Sequence, residues 1–120
     1  DQAFSVFLLD DLMDTGAKLS WALNYLLQQS KSLKRIGIFL THALFSTGCF
    51  DRLRGDAQLA SSAGVSIHLY LTDSVQQDQQ VLKRLQADGC FTQVKVIGVA
   101  PLLAETINRL QHGQSISSMW

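Results

Sequence analysis

The chain has 120 residues, of which 47% are hydrophobic and 17% charged, and its ten basic and ten acidic residues give a formal net charge of zero. This length and composition predict one folded domain with a hydrophobic core and exclude a disordered chain. The balanced charge gives no indication of binding to nucleic acid or to an anionic membrane. No apolar run approaches the roughly 18 residues of a membrane-spanning helix.

Two cysteines, Cys49 and Cys90, stand far apart in the sequence and lack the spacing of a metal site. They predict free thiols that pack as small, partly buried hydrophobic side chains. Because no signal peptide is visible and both thiols are expected to be reduced, we expect the protein in the cytoplasm.

Apolar runs and helical stripes alternate along the chain. Strands are predicted at 4–9, 35–41, 65–71 and 94–98. Helices are predicted at 15–29, 48–63 and 75–88, with a last helix from Pro101 to a C-cap at Gly113. This β-α-β-α-β-α-β-α order with short connections predicts an α/β domain whose parallel sheet carries helices on both faces.

Leucine stripes predict which helix faces meet the core. In the first helix the stripe includes Leu19 and Leu23, and Trp21 and Tyr25 are expected to widen it. In the last helix we expect the core-facing residues to be Leu103, Ile107 and Leu110. Gly55 is expected to break the second helix, and residues 76–80 are expected to form a solvated, glutamine-rich face.

The stretch from Phe7 to Lys18 carries the strongest functional signal. An apolar strand ends in two carboxylates, which accept hydrogen bonds from sugar hydroxyls or hold a hydrated divalent cation. A turn of small residues then leaves backbone N–H groups open to a phosphate at the start of a helix, with a lysine beside them. The residues of this candidate sugar and phosphate site are Asp10, Asp11, Asp14, Thr15, Gly16, Ala17 and Lys18.

A second interpretation of the same stretch is a plain helix cap, made by Asp14 or Thr15. Two adjacent acids directly after the strand favour a ligand site, because a cap needs only one. If the extended geometry continues, Asp10 and Asp11 point to opposite faces of the sheet and only one of them faces the ligand.

Polar residues also follow the second and third predicted strands. Thr41 and His42 follow the second strand, and residues 72–74 follow the third. His42 has two interpretations, which the sequence leaves open: a ligand contact or proton carrier, or a structural residue held by hydrogen bonds.

Five segments of the chain resemble one family. Leu9–Gly16 resembles the phosphoribosyl pyrophosphate loop of type I phosphoribosyltransferases and of ribose-phosphate pyrophosphokinases, also called PRPP synthetases. Four more segments are similar to motifs of the pyrophosphokinases alone. Leu40–Ser46 is similar to their T-H-G/A-hydrophobic-F-S segment, and Leu71–Ser74 is similar to their T-D/N-T segment. Val99–Ile107 is similar to their I-S-hydrophobic-hydrophobic-A-E-A-I helix start, and His112–Trp120 is similar to their H-N/D-G-x-S-V-S-Y-L-F ending. The segments occur in the family's order and cover nearly the whole chain.

The resemblance implies a three-layer, type I phosphoribosyltransferase-like domain over residues 1–120, the C-terminal half of a two-domain enzyme. That enzyme makes PRPP and AMP from ATP and ribose 5-phosphate with Mg²⁺, in nucleotide biosynthesis. Its N-terminal half supplies most of the ATP site, a metal-binding histidine and a mobile basic loop. The resemblance therefore implies no catalytic residue and no direct metal ligand in this chain, and we expect it to be inactive alone.

The resemblance also implies roles for individual residues. Asp10 and Asp11 would bind the ribose hydroxyls, and residues 14–18 would hold the 5-phosphate. The family's regulatory nucleotide or phosphate site forms between subunits, in a homo-oligomer or a hetero-oligomer with synthetase subunits. The residues that would lie near it here are Thr41, His42, Ser46, Ser115, Ser117 and Trp120.

The chain departs from the family at three places, one of which is the segment from Gln76 to Gly89, longer and more polar than is usual in the family. Lys18 replaces the final hydroxyl residue of D-T-G-G-T, and Ser46-Thr47-Gly48-Cys49 replaces S-G-P-A. These changes leave a non-catalytic, regulatory relative as an alternative. A phosphoribosyltransferase that acts on a nucleobase is a third interpretation, supported only by the shared loop.

Overall fold

A computed structural model describes residues 2–29 and 31–119. The strands are β1 Phe4–Met13, β2 Leu33–Ala43, β3 Ser66–Thr72 and β4 Gln93–Ile97. The helices are α1 Ala17–Gln29, α2 Cys49–Ser62, α3 Gln79–Ala87 and α4 Ala100–Gln111. A 3₁₀ turn at Ser117–Met119 follows α4. All four predicted strands and all four predicted helices are present in the predicted order. The predicted α/β class is confirmed.

The sheet is parallel and its strand order is β1-β2-β3-β4. Right-handed crossovers between strands that follow one another in this order place every connecting helix on the same face. One hydrophobic core accordingly joins α1, α2 and α3 to a single face of the sheet. Its central side chains, at most 2% exposed, are Ile36, Ile38, Leu40, Ile67, Leu69 and Leu71.

The opposite face of the sheet is open in the described chain. Leu9 and Phe7 on this face are 81% and 61% exposed. Phe39 and Tyr70 stack there with ring centroids 4.6 Å apart. The Phe7 ring covers Gly37, where an added Cβ would come within 2.6 Å of it. In a three-layer α/β domain this face carries the second helical layer.

Helix α1 follows the leucine prediction but not the aromatic one. Leu19 and Leu23 are buried in the core, as predicted. The prediction that Trp21 and Tyr25 widen the core stripe is wrong, because both are exposed and stack on one another with centroids 5.7 Å apart. The two rings lie one helical turn apart and pack against each other outside the core.

Helix α4 stands away from the core. Leu103, Ile107 and Leu110 are all more than half exposed, so the prediction that they face the core is wrong. The predicted helix ends are confirmed: Pro101 lies in the first turn. At the other end Gly113 has φ +64°, with its N–H bonded to Leu110 and the next N–H bonded to Arg109, the Schellman pattern.

Two details of the middle helices differ from prediction. Helix α2 runs unbroken through Gly55, since one glycine costs a helix only about 1 kcal/mol. Helix α3 begins at Gln79 rather than near residue 75, because the Asp78 carboxylate accepts a hydrogen bond from the Gln80 N–H at 2.7 Å. Gln77 therefore lies before the helix, where its side chain donates to the Ala43 carbonyl at 2.8 Å.

Candidate functional site

Strand β1 runs four residues beyond its predicted end. Leu12 and Met13 still pair with His42 and Ala43 of β2. Asp10 and Asp11 therefore lie within the strand, and only residues 14–16 connect it to α1. The extended geometry that the sequence argument required is present at both acids.

Asp10 and Asp11 consequently point to opposite faces. Asp10 pairs with Leu40 in the sheet register and shares the helix-covered face. There its Oδ1 lies 3.3 Å from the Lys18 Nζ, in an ion pair between a side chain that is 24% exposed and one that is 79% exposed. Asp11 is exposed on the other side of the strand. Of the two carboxylates, Asp10 is the one beside the turn.

Two buried side chains, those of Met13 and Cys49, pack against the turn, and the sequence argument did not predict this packing. Gly16 has φ +75°, and a Cβ added to it would lie 2.9 Å from the Met13 Cε and 3.2 Å from the Cys49 Sγ. Both of these residues are buried in the core. Glycine is therefore required at this position by the backbone angle and by the close packing beneath it.

Cys49 is a buried neutral thiol at the start of α2. Burial raises its pKa to about 11, the nearby Asp14 carboxylate also raises it, and the Arg52 guanidinium opposes them. The prediction of free cysteines is confirmed, because Cys49 and Cys90 are both unpaired. Cys49 thus acts as a packing residue under the turn.

The first turn of α1 presents backbone donors to the same space. The first N–H with an intrahelical acceptor is that of Ser20, which bonds to the Gly16 carbonyl at 2.9 Å. The preceding N–H groups of the helix have no intrahelical acceptor. Thr15 Oγ1 lies 3.4 Å from the Ala17 nitrogen, a long contact for a cap. Thr15 therefore caps the helix only weakly, and backbone N–H groups at the start of α1 remain available to bind an anion.

A second cation lies beside the turn. The Arg52 Cδ of α2 lies 3.9 Å from the position of a Cβ on Gly16, and the Arg52 side chain is exposed. Nothing in the local motif predicts this residue, because 36 positions separate it from Gly16 and only the packing of α2 against the turn brings it there. Lys18 and Arg52 thus bring two cationic side chains close to the turn.

Two clefts meet at the paired acids. One, of about 300 Å³, is lined by the consecutive residues Asp10 to Leu19. The other, of about 250 Å³, lies at the carboxyl end of the open sheet face and includes Asp10, Asp11, Phe39 and Tyr70 in its lining. All seven residues of the candidate sugar and phosphate site line the first cleft.

The segment after β2 lies against the turn. The Leu44 and Phe45 N–H groups donate to the Met13 carbonyl, and the Ser46 N–H donates to the Asp14 carbonyl at 3.1 Å. Ser46 is thus brought next to the candidate phosphate loop. This proximity follows from the long parallel pairing of β1 with β2, which the sequence argument underestimated.

His42 belongs to a polar cluster that ties β2 to β3. Its Nδ1 lies 2.8 Å from the Ser74 Oγ. The hydroxyls of Thr72 and Ser74 both donate to the Thr41 carbonyl at 2.6 Å. The intervening Asp73 accepts from the Val99 N–H at 2.7 Å. These bonds fit the structural interpretation of His42 and join the ends of β2 and β3, and through Asp73 the start of α4.

The tail residues form a separate group. Arg109 of α4 donates to the Ser115 carbonyl at 3.1 Å and to the Ser118 Oγ at 2.6 Å, while the Ser115 and Ser117 hydroxyls lie 2.6 Å apart. Trp120 lies outside the described residues. Within residues 2–29 and 31–119, no hydrogen bond or ion pair joins the tail to the segment 41–46.

The site does not fit a metal ion held by this chain's own side chains. Among the described residues, no group of three or more histidine, cysteine or acidic side chains is placed to hold one. Asp10 is paired with Lys18, and Asp11 is exposed on the other side of the strand. In the same described part of the chain, no helix is both long enough and apolar enough to cross a membrane.

The fold and the turn define an α/β protein in which a strand with paired acids leads through a glycine turn to a helix N-terminus, an arrangement typical of proteins that bind phosphorylated ligands. No protein-family profile matches the chain. Curated relatives do, and they bear the name ribose-phosphate pyrophosphokinase.

The relative from Gloeobacter violaceus is 31% identical over 116 residues, which cover 97% of this chain and 30% of that protein. The relative from Vibrio vulnificus is 32% identical over 113 residues, which cover 94% of this chain and 31% of that protein. The relative from Campylobacter jejuni is 28% identical over 115 residues, which cover 96% of this chain and 31% of that protein. The chain is therefore a relative of the ribose-phosphate pyrophosphokinases, and it spans about 30% of their length.

Proposed function

We propose that this chain is the ribose 5-phosphate-binding portion of a ribose-phosphate pyrophosphokinase, in its C-terminal part. Such an enzyme moves the pyrophosphoryl group of ATP to the anomeric hydroxyl of ribose 5-phosphate and yields PRPP and AMP, with Mg²⁺ bound in the complete enzyme. The chain's relationship to proteins of that name supports the family. The resemblance of residues 112–120 to the family's ending supports the C-terminal position.

The observation that carries the proposal is the turn at Gly16. Within one cleft it joins a carboxylate, Asp10, to backbone N–H groups that precede Ser20 in α1 and have no intrahelical acceptor. A ribose hydroxyl requires an acceptor such as Asp10, and a 5-phosphate requires donors and positive charge. Lys18 and Arg52 supply that charge beside the turn.

Calorimetric titration of ribose 5-phosphate into the intact protein tests this proposal. We expect saturable binding that weakens in an Asp14→Ala variant, because Asp14 begins the turn. Asp51→Ala, on α2, is the matched control and is expected to bind normally. No heat of binding with the intact, folded protein would sink the proposal.

We further propose that the 120-residue chain alone does not catalyse the reaction. The chain spans only about 30% of the length of its relatives. Release of AMP from ATP and ribose 5-phosphate, measured on the chain purified free of host enzymes, would contradict this.

A second candidate function is a non-catalytic regulatory subunit of a synthetase. The specific observation in its favour is that Lys18, in place of the family's hydroxyl residue, pairs with the carboxylate proposed to bind ribose. A turnover assay on the intact protein separates the two candidates, since clear formation of AMP and PRPP excludes a purely regulatory role.

We also propose that the protein self-associates or joins other synthetase subunits in the cytoplasm. The exposed Trp21–Tyr25 stack and the exposed leucines of α4 provide apolar surface for such contacts. The unpaired cysteines fit a reducing compartment. Analytical ultracentrifugation of the intact protein is expected to show a species larger than a monomer, and a strictly monomeric protein would refute the association.

A further inference from the structure

We propose that Lys18 is an exchangeable cation that couples the two halves of the ligand site. In the structure it pairs with Asp10, and when a phosphate enters the cleft it moves to the phosphate and releases Asp10 for the sugar hydroxyls. This inference rests on the proposed function and concerns the selectivity of that site for a phosphorylated sugar over a free one.

The position of Lys18 carries the first step. The residue lies in the first turn of α1, and its four-carbon side chain reaches back to the strand, placing Nζ 3.3 Å from the Asp10 Oδ1. Among the cleft residues Asp10 to Leu19 it is the only basic one, against three carboxylates. Asp10, the carboxylate on the helix side of the sheet, is thus the one that the lysine occupies.

The exposure of the pair carries the second step. The Lys18 side chain is 79% exposed, and Asp10 is its only hydrogen-bond or ion-pair partner among the described residues. Exposed ion pairs are weak, and losing one changes an equilibrium constant by no more than about fivefold. The lysine can therefore leave Asp10 readily, whereas a phosphate offers it a doubly charged partner and stronger charge-assisted hydrogen bonds.

The consequence is thermodynamic coupling between the two parts of the ligand. A free sugar must compete with the ammonium group for the Oδ1 of Asp10, whereas a phosphate removes that competitor. By linkage, phosphate must then strengthen sugar binding by the same factor by which sugar strengthens phosphate binding. The hydroxyl that the family carries at this position has no charge with which to produce this coupling.

The test uses the intact protein, with nuclear magnetic resonance titrations that suit weak ligands. Ribose is titrated with and without saturating inorganic phosphate, and ribose 5-phosphate is titrated separately. We expect phosphate to tighten ribose binding by about two- to fivefold in the natural protein. In Lys18→Thr this coupling should disappear, ribose should bind more tightly without phosphate, and ribose 5-phosphate should bind roughly tenfold more weakly.

Lys83→Thr is the matched control, because Lys83 is an exposed lysine on α3 away from the cleft, and it should behave as the natural protein. If ribose 5-phosphate binds but Lys18→Thr and Lys83→Thr have equal affinities and equal coupling, the exchange by Lys18 is refuted while the proposed function survives. If ribose 5-phosphate binds to neither the natural protein nor Lys18→Thr, both proposals fail.

Discussion

The Cys49 Sγ lies 3.2 Å from the position that a Cβ on Gly16 would occupy. This contact joins the start of the second helix to the turn after the first strand, so the candidate phosphate loop rests directly on the hydrophobic core. The loop is consequently not an independent surface feature, and its shape depends on the packing of α2.

Replacing Gly16 with alanine tests this support. A φ of +75° costs an L-residue about 1–2 kcal/mol, and crowding against Met13 and Cys49 adds about 1 kcal/mol. We expect Gly16→Ala to lower the free energy of unfolding by about 2–3 kcal/mol, measured by denaturant titration. Gly64→Ala is the matched control, since Gly64 has φ +73° with open space around it and should show the backbone cost alone. Equal losses in the two variants would rule out the packing contribution.

Cys49 makes stability depend on alkaline pH. Its folded-state pKa of about 11 lies above the ordinary value of 9.0, so folding favours the protonated thiol. The corresponding stability is fully present below pH 9 and is lost as the pH rises through about 11, with a total of about 2–3 kcal/mol. Unfolding at pH 8 and at pH 11 should therefore differ more in the natural protein than in Cys49→Ala. An unchanged difference would show that other groups govern the alkaline loss.

Asp73 is expected to anchor α4. Its Oδ1 accepts a hydrogen bond from the Val99 N–H at 2.7 Å, and α4 buries no side chain of its own. Asp73→Ala should cost about 1 kcal/mol locally and speed amide hydrogen exchange in α4 roughly fivefold. Asp78→Ala is the control, because Asp78 caps α3 and should speed exchange there instead. Faster exchange in α3 alone after the Asp73 change would contradict the assignment.

Gly37 and Phe7 should be energetically coupled. A Cβ on Gly37 would come within 2.6 Å of the Phe7 ring, so Gly37→Ala must displace that ring at a cost of about 1–3 kcal/mol. The loss should be smaller in a Phe7→Ala background, because no ring is then in the way. A double-mutant cycle measured by denaturant unfolding is expected to give a coupling of about 1 kcal/mol or more. Additive effects would show that the ring moves aside freely.

The sequence predicted the strands and helices better than it predicted which side chains are buried. Leu19 and Leu23 were assigned to the core correctly, yet the equally regular stripe of Leu103, Ile107 and Leu110 is exposed. Periodicity shows that a helix has an apolar face but carries no information on which surface covers it. Strand order is likewise absent from a simple β-α alternation, and it is this order that places α1, α2 and α3 on one face.

The candidate site was predictable where its parts are local. Asp10 and residues 14–18 are close in sequence, and strand alternation correctly separated Asp10 from Asp11. Arg52 and Cys49 were not predictable as parts of it, because only the packing of α2 brings them to the turn. The pairing of Lys18 with Asp10 depends on strand β1 being longer than predicted, a property set by tertiary pairing with β2.

The consecutive strand order has a consequence for how the chain is made. Each strand pairs with the one synthesised immediately before it, so during translation β2 finds β1 already present, β3 finds β2, and β4 finds β3. Each strand after β1 in the described sheet therefore meets a partner that has already been synthesised. The sheet can therefore be assembled progressively, in the direction of synthesis.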